Sequence, residues 1–154
     1  QQLIQVSGRA GRNNNLAKVI IQTRYPDDIN LKQIKTGDYQ LVADQCLSVN
    51  KNLSLPPYSS ICILRTTSPN SKNCLDFLNR ASLTLDNRKG VGIIGPLPSI
   101  PFKIKGNIRS HLVIKSSNKA YLNRILKFLI KEFETWPESK KVKWSFDVDP
   151  YDMS

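Results

Sequence analysis

From Ser59 onward the chain predicts an α+β domain with the element order β-α-β-β-α-β, and three observations lead there. Apolar residues recur at helical spacing in two places, at Cys74, Phe77, Leu78, Ala81 and Leu85, and again at Leu122, Ile125, Leu126, Leu129, Ile130 and Phe133. The run Val142, Trp144, Phe146, Val148 alternates strictly with Lys143, Ser145 and Asp147, the pattern of a half-buried strand. Short β-branched runs bounded by Gly and Pro fill the remaining positions. This order is the split βαβ, or ferredoxin-like, arrangement: a four-stranded antiparallel sheet with two helices on one face and the other face left open to a partner.

The elements follow in sequence. Residues 61–67 (ICILRTT) form the first strand, and residues 70–85 the first helix. Residues 91–94 (VGII) are a second strand, ended by Gly95-Pro96. Residues 108–115 are a third, with Ile108, Leu112 and Ile114 on one side and an interruption at Ser110. Asn118 caps a long helix reaching about Thr135, and residues 142–148 close the sheet. Before this domain, residues 17–23 (AKVIIQT) read as a strand buried on both faces, as in a parallel sheet. Asp27 or Asp28 caps a short helix to about Lys35, and a second helix covers residues 38–53. Leu55-Pro56-Pro57-Tyr58 stops it, which places a boundary between an α/β segment, 1–58, and the α+β domain, 59–154.

At 154 residues the chain can bury one substantial core. No apolar run approaches the length of a membrane span, so a membrane partner is not expected. Charge is the unusual quantity, with 23 basic against 12 acidic residues giving +11. Residues 59–154 hold 16 Lys and Arg against 8 Asp and Glu, so most of the excess lies there. Such a field favours polyanions, nucleic acid above all, through phosphate contacts that carry no sequence information. Solubility, or the Lys- and Asn-rich drift of an AT-biased genome, is the alternative. Cys46, Cys62 and Cys74 are widely spaced without a CxxC pair, and His111 is the one histidine, so no structural zinc site is expected within the chain. Reduced thiols in a cytosolic protein are the simple reading.

The chain opens on Gln5-Val6-Ser7-Gly8-Arg9-Ala10-Gly11-Arg12. Two arginines three apart, each after a glycine, suit a reach toward a γ-phosphate: guanidinium stays charged and offers a planar fork of donors. Gly8, Ala10 and Gly11 let the backbone pass close to a facing lobe. A solvated basic turn that binds any phosphate is the alternative. The string resembles motif VI of superfamily-two helicases, which implies that residues 1–58 are the end of a RecA-like motor lobe. The sequence contains neither a GxxxxGK[ST] phosphate loop nor a DExH-type box, so these residues alone are not expected to hydrolyse ATP. It also begins with Gln rather than Met, and the expectation is a C-terminal piece of a longer protein.

Three further strings join this motif. They are Leu55-Pro56-Pro57-Tyr58, Gly95-Pro96-Leu97-Pro98 ahead of a basic hairpin ending in Gly106 and Arg109, and Lys143-Trp144 with Asp147-Val148-Asp149-Pro150. In this order and spacing the set resembles the C-terminal third of the primosomal protein N′ family, the PriA replication-restart helicases. The resemblance implies a cytoplasmic protein that recognises stalled forks, unwinds DNA 3′ to 5′ with ATP and Mg²⁺, and promotes primosome assembly and helicase reloading. It further implies zinc in a region upstream of Gln1, and contacts with forked or single-stranded DNA, single-strand-binding protein and primosome proteins. By resemblance Arg9 and Arg12 contact ATP phosphates, with Gln5, Gly8 and Gly11 in support. Val6 fits the family, where many other superfamily-two helicases have arginine. Lys103, Lys105, Arg109 and Lys115 are the expected DNA contacts. Relatives usually carry aromatics around this arginine, whereas Ile108 and Ser110 cannot stack on bases, so weaker and more salt-dependent DNA binding is expected. A decayed, non-catalytic basic DNA-binding remnant is the alternative function.

Other polar residues read more plainly. His111 is expected to be solvated or hydrogen-bonded rather than a ligand. Asp147, Asp149 and Asp152 read as a turn-forming acidic cluster that pairs with the basic hairpin. Trp144 is in phase with the core, while Trp136 is open to either a core or a stacking role.

Overall fold

The computed structural model describes residues 19–27 and 39–151. The chain divides into two compact units, Gln1–Val49 and Asn50–Ser154. In the first, the described part of the expected strand at 17–23 is not a strand, and Ile20 is 79% exposed. A continuous apolar run becomes a buried strand only where neighbouring strands take its backbone groups, and none pairs with it among the described residues. The short helix expected near residues 28–35 lies outside the described residues. Helix α1, Tyr39–Asn52, forms where periodicity places it, although Leu41, Val49 and Leu53 are exposed.

The second unit is built on one sheet. Strands β1 (Ser60–Ser68), β2 (Gly92–Ile104), β3 (Asn107–Ser116) and β4 (Lys143–Val148) lie in the order β2-β3-β1-β4, and every pairing is antiparallel. With α2 (Ser71–Asp86) after β1 and α3 (Lys119–Thr135) after β3, this is the connectivity expected of a ferredoxin-like domain. Asn70 and Asn118 cap the two helices, accepting from the backbone N–H of Lys72 and Tyr121 at 2.9 Å each.

Cys62 and Leu64 of β1 and Leu112 and Ile114 of β3 face the helices, where they meet Cys74, Phe77, Leu78, Ala81 and Leu85 of α2 and the apolar stripe of α3. An aromatic cluster closes one end of this core. The Phe133 ring lies 4.7 Å from Phe77, 4.9 Å from Trp136, 5.0 Å from Trp144 and 5.8 Å from Phe146. Trp136 is therefore core, 2% exposed, with the Arg80 guanidinium 4.5 Å above its ring.

Three expectations about the sheet need correction. The face away from the helices is not open at its centre: Ile61, Ile63 and Val113 are buried there, and Leu55 packs on them. This is why β1 reads ICIL without alternation; it is a central strand with both faces covered. Strand β2 does not end at Gly95-Pro96. One extra residue bulges there, and the ladder resumes at Leu97↔His111. Gly95 has φ +115°, and a side chain would begin 3.0 Å from the Leu97 nitrogen and 3.1 Å from the His111 carbonyl. Pro96, Pro98 and Pro101 lack N–H groups and are tolerated because β2 is an edge strand. Ser110 does not interrupt β3; it pairs with Thr66, whose hydroxyl donates to its carbonyl at 3.0 Å.

Phe133→Ala should lower unfolding free energy by about 3–5 kcal/mol, while Leu83→Ala on the exposed side of α2 should stay within about 0.5 kcal/mol; chemical denaturation of the two variants checks this. Burial pushes the Cys62 thiol up to about 12 and raises that of Cys74, whereas Cys46 is exposed. A thiol reagent at neutral pH should accordingly label Cys46 alone until the second unit unfolds.

Candidate nucleic-acid interface

The β2–β3 hairpin closes with two residues, Lys105 at φ +47° and Gly106 at φ +81°. Positive φ at both central positions is the turn geometry that matches strand twist, and it puts Lys105 at the tip. On the sheet face away from the helices, Lys143 of β4, Thr67 of β1 and Arg109 of β3 are consecutive partners in the ladder. Adjacent strands lie about 4.8 Å apart, so this row crosses roughly 10 Å of sheet. Beside it a groove of about 300 Å³ is lined by Thr67, Pro69, Asn107, Lys140, Lys141, Val142 and Lys143. Three of these residues are cationic and exposed, and none is acidic.

The groove's lysines are held by a turn with its own anchors. Residues Pro137–Lys141 form a 3₁₀ turn between α3 and β4. Ser139 donates its hydroxyl to the carbonyls of Phe133 and, at 2.9 Å, Trp136, satisfying two acceptors at the end of α3. Glu138 pairs with Arg80 at 2.8 Å, and the Lys141 carbonyl accepts from Ser68 at 3.1 Å.

The acidic residues do not meet the hairpin. Asp147 pairs with Arg65 at 3.1 Å and Asp149 with Lys119 at 2.7 Å; Asp152 lies outside the described residues. The Lys119–Asp149 pair forms one side of a second cavity, about 570 Å³, walled by Leu55, Pro56, Pro57 and Ile61. His111 is buried, with Nδ1 3.0 Å from the Ser99 hydroxyl. Burial first, then the positive charges of Arg65 and Arg109, hold its pKa below the ordinary value.

Residues 51–151 match the family model of the Primosomal protein N C-terminal domain. The chain belongs to that family. Curated relatives named Replication restart protein PriA include those of Haemophilus influenzae (30% identical, covering 100% of this chain and 21% of the relative), Rickettsia felis (31%, 97% and 22%) and Bacillus subtilis (30%, 99% and 19%). The chain thus spans about a fifth of the length of these PriA proteins. A solved de novo designed protein, Foldit4, covers 61% of this chain and 99% of its own at TM-score 0.46 and 11% identity, too distant to bear on the fold.

Within this primosomal protein N domain the expected basic residues separate. Arg109 and Lys115 share the sheet face away from the helices, Lys105 caps the hairpin, and Lys103, paired with Ile108, belongs to the opposite face. Gln5, Gly8, Arg9, Gly11 and Arg12 lie outside the described residues. No group of three or more His, Cys, Asp or Glu among the described residues is placed to hold a metal ion. No described helix is long and apolar enough to cross a membrane. Sequence reasoning missed Lys140, Lys141 and Lys143. The signal was present in the string Lys-Lys-Val-Lys, but the groove needs Thr67 and Asn107 from distant segments to become visible.

Because the fold lowers the His111 pKa, the unfolded chain takes up the proton first on acidification. Stability should be full above the unfolded-state value near 6.5 and fall as pH drops through the lower folded value. His111→Gln should flatten that part of a stability-against-pH curve measured by thermal melts.

Proposed function

We propose that this domain is a nucleic-acid-contacting part of a PriA-type replication restart protein, an ATP-dependent 3′–5′ DNA helicase of the cytoplasm that acts at stalled forks. The contact surface is the row of Lys143, Thr67 and Arg109 with the flanking Lys105, Lys140 and Lys141. Phosphates lie along the groove, held by ammonium and guanidinium groups without reading sequence. Lys115, further along the Arg109 face, extends the positive field, while Lys103 supplies charge from the other side of the hairpin.

The observation that carries this reading is the acid-free basic groove at one end of the sheet in a domain of the primosomal protein N family. In the motor, Arg9 and Arg12 reach the ATP phosphates, and Gln5, Gly8 and Gly11 shape the approach. ATP and Mg²⁺ are bound by the assembled motor rather than by the domain described here. Single-strand-binding protein and primosome proteins are the protein partners in this reading.

Lys140→Ala, Lys141→Ala and Lys143→Ala combined should weaken binding to single-stranded DNA. Each lost phosphate contact takes about 0.7 from the slope of log affinity against log salt, so the slope should become less steep by about 2. An unchanged slope in a salt series would remove the groove from the interface. In a PriA-length protein carrying this sequence, Arg12→Ala should abolish DNA-stimulated ATP hydrolysis and leave DNA affinity intact, which a coupled turnover assay and a binding titration would measure side by side.

A further inference from the structure

Between the paired positions Pro98↔Ser110 and Lys103↔Ile108, strand β2 contributes four residues, Ser99–Phe102, where β3 contributes only Arg109. The surplus must bow away from the ladder. Its base is fixed, since Ser99 is buried and hydrogen-bonded to His111. Its crest is not covered: Ile100 is 77% and Phe102 49% exposed. With Ile94, Leu97 and Ile104 also exposed, β2 presents a run of apolar side chains along this edge rather than a single scattered one.

Charge identifies the kind of partner. From Asn87 to Lys131 the sequence contains no aspartate or glutamate, and Phe102 is followed closely by Lys103 and Lys105 with Arg109 across the ladder. Pro98 and Pro101 have no N–H to donate, so this stretch of the edge is a poor template for an added β-strand. What remains is a polyanion that also offers flat apolar surfaces. Unpaired nucleic-acid bases are that ligand, whereas a duplex keeps its base faces stacked inside.

We propose that the bulged arm of β2 is a single-strand reader in which Phe102 stacks on an unpaired base while Lys105 and Arg109 hold the adjoining phosphates. The inference rests on the nucleic-acid reading of the basic face and adds single-strand selectivity to it.

The test is titration of the full 154-residue chain with a labelled single-stranded oligonucleotide and with the duplex of the same sequence, each across a salt series. Phe102→Leu keeps an apolar side chain of similar burial, and an unchanged melting temperature verifies its fold. It should lower single-strand affinity by about fivefold or more, the loss expected for one base–aromatic stack. Its salt slope and duplex affinity should not change. Phe102→Trp should restore single-strand affinity. Unaltered single-strand affinity in Phe102→Leu, or equal losses on both ligands, overturns the stacking role. Lys105→Ala with Arg109→Ala separates the two readings: if this pair weakens binding while Phe102→Leu does not, the basic face stands and the arm fails. If neither changes binding, both fall.

Discussion

Phe133 is the contact on which the second unit depends. Its ring touches one aromatic from α2, the tryptophan at its own helix end, and two aromatics from β4. Strand β4 is six residues long and among the described residues pairs with β1 alone, so ladder bonds hold it weakly. Trp144 and Phe146 supply the rest by burying their rings under the helices, and each such pair adds about 0.5–1.5 kcal/mol beyond area burial. Because Phe133 also accepts from Ser139, the same residue orients the 3₁₀ turn that follows.

That packing has a consequence on the outside of the molecule. The side chains that alternate with Trp144 and Phe146 are Lys143, Ser145 and Asp147, so fixing the aromatic register fixes Lys143 on the other face. The turn anchored by Ser139, Glu138 and Arg80 delivers Lys140 and Lys141 beside it. Arg109 arrives from β3 through its pairing with Thr67. A surface of this kind is a by-product of the core: three segments far apart in sequence meet because apolar residues between them must be buried. Asp147 balances Arg65 one step further along the sheet, which leaves the end beyond Thr67 with unbalanced positive charge.

Much of this fold was legible from residue spacing because helices α2 and α3 announce themselves with asparagine caps and complete apolar stripes. Strand β4 was legible from strict alternation. The β2 strand was not, because Gly95-Pro96 carries the signal of a terminator, and only edge position and a bulge allow a strand to continue through it. Residues 19–23 differ for the converse reason, since an apolar run states a need for burial that no strand among the described residues meets. The site was half legible. Arg109 and Lys105 stood out beside a hairpin glycine, but which lysines join them depends on pairing register. Register placed Lys103 on the opposite face and brought in Lys143.

In the proposed function nucleic acid crosses the sheet end rather than lying on α3, whose outer side is also basic through Arg124, Lys127 and Lys131. Amide chemical-shift mapping of the chain during titration with single-stranded DNA tests this directly. Shifts centred on Thr67, residues 105–109 and residues 140–143 are the predicted result. Shifts concentrated along α3, with the sheet end unmoved, would contradict it.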